Sequence, residues 1–432
     1  MRKIFLIFRL FAAMMSMIFV LPSACALAEG GSMCQSTISE GNPRPDPKED
    51  RPVRIVHMTD PHFIAPGLTD NGEYFTRIVT SADGKVMLYS EPLLQAFVSE
   101  MLALAPDAVV ISGDLSFNGA GESHRALSEM LRALPEAGIP VFVLPGNHDV
   151  SYSQAARFSG SRFEHVHSPT ASEFEAIWQG FGYGTALSRD GASLSYTADV
   201  GDVRLLMLDV NTEDAPGRIK EETIAWARAQ LLAAKRDGRR VLSFSHQTLL
   251  KHNSLFEKGF RMENADALLR VLQGNTLLHL SGHMHIQHIA SRGALTEITG
   301  SSLAVSPCQY GILTLDGKTL SYETQRTDVA GWAAGNAVTD KNLLHFPTYS
   351  ASFFANSTVR QASAIAKEEG GKAALIWMAT ANLAYFSGNL TKIEKNDAAL
   401  ALIAAKLPFW SVYFNSILPD LGKDYTKLTL VF

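Results

Sequence analysis

The sequence predicts an α/β protein, with a largely parallel sheet core, helices packed outside it, and a small α-helical domain at the C-terminus. Three observations predict it. From residue 53 to about 325, short apolar runs rich in β-branched residues alternate with segments of helical period. Each of five such runs ends, on its carboxyl side, in Asp, His or Asn. After residue 328 the chain turns Ala-rich with helical spacing to the end.

The first 28 residues read as a signal peptide. Arg2 and Lys3 precede an apolar run from Ile4 to Leu21, broken only by Arg9 and Ser16, and Ala26-x-Ala28 offers a small-residue cleavage site before Glu29. Two other readings compete. An uncleaved membrane anchor is one, since about 18 apolar residues are long enough to span. A lipid anchor on Cys25 is the other, although Pro22 sits badly in such a motif. The expected location is outside the cytoplasm: secreted, periplasmic or on the cell surface. Residues 29–52 are Gly-, Ser- and Pro-rich and read as a flexible linker. Cleavage after Ala28 leaves Cys34 and Cys308, either as a disulfide or as two unpaired thiols.

Residues 53–327 form the expected catalytic domain. Arg54–Thr59 runs into Asp60-Pro61-His62, and Ala108–Ser112 into Gly113-Asp114. Val141–Leu144 runs into Pro145-Gly146-Asn147-His148-Asp149, Val241–Ser245 into His246, and Thr276–Ser281 into Gly282-His283-Met284-His285. Between them Leu93, Leu94, Phe97, Met101 and Leu102 mark one helix face. Leu127, Met130, Leu131 and Leu134 mark another, and Ile224, Leu231 and Leu232 a third. Ser193–Val200 and Val203–Val210 flank Gly201-Asp202 as a hairpin, so the core is mixed or built from two sheets. Edge strands are expected near Gly311–Thr324. Residues 328–432 are the helical domain, with Ala373, Leu375, Ile376, Met378 and Leu383 on one helix and Leu400, Leu402, Ile403 and Leu407 on another. Its aromatic residues, Phe353, Phe354, Tyr385, Phe386, Phe409, Trp410, Tyr413 and Phe414, are expected to form its core.

Composition excludes several functions. In 432 residues, 38 Lys+Arg stand against 43 Asp+Glu, a net charge of −5, which argues against a nucleic-acid binder or a protein held on anionic membranes by charge. Three cysteines supply neither a disulfide framework nor a Cys-rich zinc site. Only an uncleaved signal or a lipid anchor would tie the chain to a membrane.

In open α/β sheets, ligands bind outside the carboxyl ends of the strands, where these polar residues gather. Imidazole, carboxylate and amide oxygen without thiolate suit divalent first-row metals such as Mn, Fe, Zn or Co. With His148 reserved for catalysis, Asp60, His62, Asp114, Asn147, His246, His283 and His285 are too many for one tetrahedral ion. They are enough for two if Asp114 bridges. After a Gly, His283 and His285 are expected to splay to different ions. Two ions about 3.5–4 Å apart activate a water held between them and neutralise a phosphoryl group. With two carboxylates and one hydroxide they leave a charge of +1, suited to a monoanionic phosphodiester without excluding a dianionic monoester. His148 would protonate the leaving alkoxide or steady phosphoryl charge, and Asp149 would fix the His148 tautomer through a hydrogen bond.

In order along the chain, Asp60-x-His62, Gly113-Asp114, Gly146-Asn147-His148-Asp149, His246 and Gly282-His283-x-His285 resemble the motif series of the calcineurin-like metallophosphoesterases. The resemblance implies a sandwich of two mixed β-sheets flanked by helices. It implies one metal on Asp60, His62, Asp114 and His285, and the other on Asp114, Asn147, His246 and His283, with His148 catalytic. Within the family, Thr59–His62, Ser112–Gly119 and Leu144–Asp149 are most similar to the bacterial class III cyclic-nucleotide phosphodiesterases with a helical C-terminal extension. Two departures bear on substrate choice. Gln247 stands where related sequences often carry a second histidine, and an insertion, turn-rich from Gly67 to Lys85, is expected to overhang the site.

The expected function is therefore hydrolysis of a small phosphodiester by a metal-bridging hydroxide, with 3',5'-cyclic nucleotides as first choice. A broader phosphatase or nucleotidase, or a phosphodiesterase acting on envelope groups, is the alternative. A binding or scaffold protein that has lost turnover is disfavoured, because every ligand position is filled. Other polar residues have plainer roles. His57 and His279 lie inside strands and read as packed, whereas His124, His165 and His167 read as solvated. His252 and His288 are candidates for contacts with the ligands from outside, and Asn118 for a phosphate contact or a turn.

Overall fold

A computed structural model describes residues 51–432; the leader, most of the linker and Cys34 lie outside them. Thirteen strands build two sheets. In chain order they are β1 (Val53–Met58), β2 (Ala108–Ser112), β3 (Val141–Leu144), β4 (Ser188–Arg189), β5 (Tyr196–Val200), β6 (Val203–Met207), β7 (Arg240–Phe244), β8 (Leu278–Ser281), β9 (His288–Arg292), β10 (Leu295–Thr299), β11 (Gln309–Asp316), β12 (Thr319–Arg326) and β13 (Lys427–Val431). The 6-stranded sheet runs β13-β12-β11-β1-β2-β3, and the 7-stranded sheet β9-β10-β8-β7-β6-β5-β4. Both are mixed. β1, β2 and β3 are parallel, as are β6, β7, β8 and β10, and the remaining pairs are antiparallel.

The core lies between the sheets. Ile55, Val110, Leu205, Leu242, Phe244, Leu278 and Ile298 share one buried cluster. The alternate residues Leu206 and Val241 instead face a second cluster beneath helices Glu221–Arg236 and Ala265–Leu272. Parallel strands covered on both faces read as continuous apolar runs, which is why these strands stood out in the sequence. Leu102 and Leu232, assigned to the buried faces of their helices, are 41% and 65% exposed. Each lies one residue past a core-facing position, Met101 or Leu231, where helical period swings the side chain outward.

Three departures concern the C-terminal half and the insertion. The strands at 309–316 and 319–326 are not the sheet edge, because β13 adds antiparallel to β12 (Tyr322 opposite Leu428). A strand more than a hundred residues from its partner leaves no local signal. Ile376 is 68% exposed, whereas Leu375 and Met378 are buried, so the helix at 371–387 presents a different stripe from the one expected. The 67–85 segment is not simply turns: it holds helix α1 (Glu73–Ser81), anchored by buried Phe75 and Val79. The aromatic cluster around Phe354, Tyr385, Trp410, Tyr413 and Phe414 packs together with Met284, Ile286 and Val305 of the catalytic half. Among the described residues no helix is long and apolar enough to cross a membrane.

Candidate metal centre

The carboxyl ends of β1, β2, β3, β7 and β8 meet in one place. Asp60 N–H donates to the Gly113 carbonyl (3.1 Å), His62 N–H to the Asp114 carbonyl (3.0 Å), and Gly282 N–H to the His246 carbonyl (2.9 Å), so the loops after the strands are stitched together by backbone. Asp60, His62, Asp114, His283 and His285 all have positive φ, from 45 to 67°. For residues with a Cβ this costs roughly 1 kcal/mol or more each, a strain that sheet packing must hold. Close approach explains two glycines. A Cβ on Gly113, at φ +94°, would lie 2.5 Å from His246 Nδ1, and one on Gly282 would lie 1.9 Å from Thr59 Oγ1.

Six of the seven residues fall into two clusters that share Asp114, and Asn147 joins the second through its contact with His246. Asp60, His62, Asp114 and His285 form one, all buried; Asp114, His246 and His283 form the other, with His283 half-buried. In the first, the Nε2 atoms of His62 and His285 face each other at 3.0 Å, and His285 Nε2 is 3.3 Å from Asp60 Oδ1. In the second, His246 Nε2 is 3.3 Å from Asp114 Oδ1 and 3.1 Å from Asn147 Oδ1. His283 and His285 thus splay apart, one to each cluster.

The donor set fits divalent cations. Asp60 Oδ1 is buried with no hydrogen-bond partner, and two imidazole nitrogens converge on the same space. Burial pushes the Asp60 and Asp114 carboxyls up, but His246 and the neighbouring imidazoles outweigh it and hold both below the usual carboxylate range. His246 itself is pushed up to about 9: burial opposes its charge, yet Asp114 and Asp60 overcome that. Two buried carboxylates therefore demand positive charge, which cations held among the imidazoles would supply.

Hydrogen bonds from outside orient the rings. His246 Nδ1 lies 2.9 Å from the Ser112 carbonyl, and His283 Nε2 lies 2.8 Å from the Gly259 carbonyl. His148, 3.8 Å from Asp114 Oδ2, turns Nδ1 to the Phe117 carbonyl at 3.1 Å and packs on the Tyr152 ring, with centroids 4.7 Å apart.

This corrects the expected role of Asp149. It does not bond the His148 ring; it accepts from the N–H groups of Leu115, Ser116 and Gly146, tying the loop after β2 to the loop after β3. A carboxylate that accepts several backbone N–H bonds is a loop clasp, and a sequence neighbour cannot reach both tasks. His124 is also corrected: it is buried, with Nδ1 accepting from Trp178 Nε1 and Nε2 3.6 Å from Asp149. Its helix turns that position inward, which a polar local context hid. His165 and His167 are exposed. His57 bonds Ser112 Oγ, and His279 bonds Ser243 and Ser245 Oγ; burial lowers these rings to about 3 and about 4. His252 and His288 touch no metal-ligand candidate; their Nδ1 atoms lie 3.0 Å apart, between Glu297 and Asp420. Asn118 spends its amide on the Ala156 carbonyl, as a turn residue. Gln247 forms a buried amide pair with Asn211. Cys308 is buried and, among the described residues, unpaired; whether it pairs with Cys34 lies outside them.

Sequence reasoning missed Asp83 and Lys85. Asp83 Oδ2 lies 3.4 Å from His285 Nδ1 and 2.9 Å from Lys85 Nζ. Their only signal was Asp-Gly-Lys at the end of the insertion, which reads as a turn.

Comparison with known proteins agrees with this geometry. The chain is 24% identical over 194 residues to a probable cyclic nucleotide phosphodiesterase of Vesicomyosocius okutanii, a match covering 44% of this chain and 68% of that protein. It is 25% identical over 147 residues to a probable glycerophosphodiester phosphodiesterase GpdQ of Arcobacter nitrofigilis, covering 34% of this chain and 43% of that protein, less than half its length. Among solved structures, a dimetal phosphatase from Danio rerio aligns at TM-score 0.47 and 16% identity, over 64% of this chain and 96% of its own. The C-terminal domain of cyclic nucleotide phosphodiesterase matches residues 328–424. Calcineurin-like phosphoesterase matches residues 53–287, which is more than half of the chain and contains every strand end that feeds the two clusters. The chain belongs to the calcineurin-like phosphoesterase family, and is a metal-dependent phosphoester hydrolase of the dinuclear kind.

Proposed function

We propose that the protein hydrolyses phosphodiesters, with 3',5'-cyclic nucleotides as its substrates. The observation that carries this reading is the match of residues 328–424 to the C-terminal domain of cyclic nucleotide phosphodiesterase, beside the calcineurin-like phosphoesterase match over residues 53–287. A second reading, hydrolysis of glycerophosphodiesters, is supported by the name of the Arcobacter relative.

In this reading Asp60, His62, Asp114 and His285 hold one cation, and Asp114, Asn147, His246 and His283 the other. When bound, the pair supplies Lewis acidity toward the phosphoryl oxygens and lowers the pKa of water. The chain does the rest. Asp114 sets the spacing by serving both clusters. The Phe117 carbonyl accepts from His148 Nδ1–H, which leaves Nε2 facing the centre to take or give a proton at a phosphoryl or leaving-group oxygen. Burial pulls His148 below the ordinary imidazole range against the pull of Asp114. Tyr152 walls the same ring.

The test is a steady-state comparison of cyclic AMP, a glycerophosphodiester and a phosphomonoester on Mn-loaded protein. The expected result is the highest kcat/KM on cyclic AMP. A preference for the glycerophosphodiester selects the second reading, and monoester turnover far above both rejects a diesterase.

A further inference from the structure

Each imidazole of the centre with an outer partner, His285 excepted, leans on a backbone carbonyl: His246 on Ser112, His148 on Phe117, His283 on Gly259. His285 alone faces a carboxylate. Its Nε2 points inward, 3.0 Å from His62 Nε2, and its Nδ1 points outward, 3.4 Å from Asp83 Oδ2. The Asp83 side chain is 7% exposed, and Lys85, equally buried, holds it from the other side at 2.9 Å.

The segment that delivers Asp83 is clamped from two directions. The helix at Phe346–Gln361 bonds its backbone: Ser357 Oγ donates to the Ala82 carbonyl (2.6 Å), Gln361 Nε2 to the same carbonyl (3.4 Å), and Arg360 to the Thr80 carbonyl. Phe354 lies so close to Gly84, at φ +89°, that a Cβ there would come within 2.7 Å of its ring. On the other side Val86 N–H donates to the Ala304 carbonyl (2.8 Å). A carboxylate costs much to bury, and this one is placed beside a ring that needs its Nδ1–H held for Nε2 to face a cation.

We propose that Asp83 is the positioning residue of His285, with Lys85 as its counter-ion, and that the C-terminal helices act on the metal centre through this contact. The proposal rests on the reading of His285 as a metal ligand. Asp83 touches no reacting atom; it fixes the tautomer and angle of a ring that does the binding, and Lys85 keeps its charge tolerable in a buried setting.

The experiment is calorimetric titration of full-length protein with Mn2+, alongside kcat and KM. Three variants are compared: Asp83→Ala, Asp83→Ala with Lys85→Met, and His285→Ala. Asp83→Ala is expected to weaken one of two Mn2+ sites by roughly 10- to 100-fold, to leave the other unchanged, and to lower kcat more than it moves KM. The double variant carries no unpaired buried ammonium, so it serves where the single variant does not fold, and it is expected to keep the same metal defect. Recovery of wild-type Mn2+ affinity in the double variant would mean that Asp83 only neutralises Lys85, and would overturn the proposal. So would wild-type affinity in Asp83→Ala. If His285→Ala keeps both sites intact, the ligand assignment itself is wrong, a failure distinct from a His285→Ala that loses one site while Asp83→Ala loses none.

Discussion

The two ligand clusters are built from the same residue types but differ in closure. The cluster of Asp60, His62, Asp114 and His285 is buried throughout, with its residues delivered from the ends of β1, β2 and β8 and with Asp83 of the 67–85 segment against His285. The cluster of Asp114, His246 and His283 is open on one side. His283 and Asn147 are half-buried, and Phe260 rests against His283, with ring centroids 5.5 Å apart. A closed site retains its ion and shields its charges from water, which makes each interaction stronger; an open one exchanges and admits substrate. The centre thus pairs a closed half with a more open one, joined by Asp114.

Four experiments sharpen or break that contrast. The largest effect belongs to Asp114→Ala. It is expected to remove both ions and to lower turnover by roughly a thousandfold or more, read by elemental analysis and kcat. If one ion stays bound at full affinity, the shared-bridge picture fails. Brief chelation comes next. A limited EDTA exposure should strip about one ion per chain, and His283→Ala should start from that one-ion state while His62→Ala loses the slowly exchanging ion instead. Equal exchange rates would erase the distinction between closed and open. His148→Ala is expected to keep both ions and lose roughly 100- to 10,000-fold in kcat, since it acts on protons and not on metal. A loss of metal would make it a ligand.

The smallest effect concerns what supports the open side. Glu297, fully buried behind β8, accepts from Leu249 N–H and Leu250 N–H and from Ser281 Oγ, fixing the loop after His246. Burial raises its pKa, but His252 and these hydrogen bonds outweigh that and lower it from 4.5 to about 2. A depressed folded pKa contributes stability that is complete above 4.5 and is lost as pH falls from there through about 2. The contribution is of order 3 kcal/mol at most. Glu297→Gln should flatten the fall in stability across that window, measured by urea unfolding at stepped pH. An unchanged slope would show that the loop does not depend on this charge.

Much of the site was legible because chemistry in a sheet protein sits at strand ends. Asp60, His62, Asp114, Asn147, His148, His246, His283 and His285 each follow an apolar run, so a linear pattern marked a point in space. What stayed hidden depended on contacts without sequence period. Asp149 looked like a partner for His148 because the two are adjacent, yet its oxygens turn to backbone N–H groups 33 and 34 residues away. His124 looked solvated because its neighbours are polar, while its helix face is covered by Trp178 and Phe174.

The sequence by itself determined the strands and the residues they deliver, and it made Asp114 the expected link between two ion sites. These are local or follow from valence and charge. Only the tertiary structure decided which half of the centre is closed, that β13 caps the first sheet, and that Asp83 reaches His285 from a segment clamped by Ser357 and Phe354. Such pairings join residues from about one hundred to nearly three hundred positions apart, and no periodicity of a single chain encodes them; they exist once burial has brought the surfaces together.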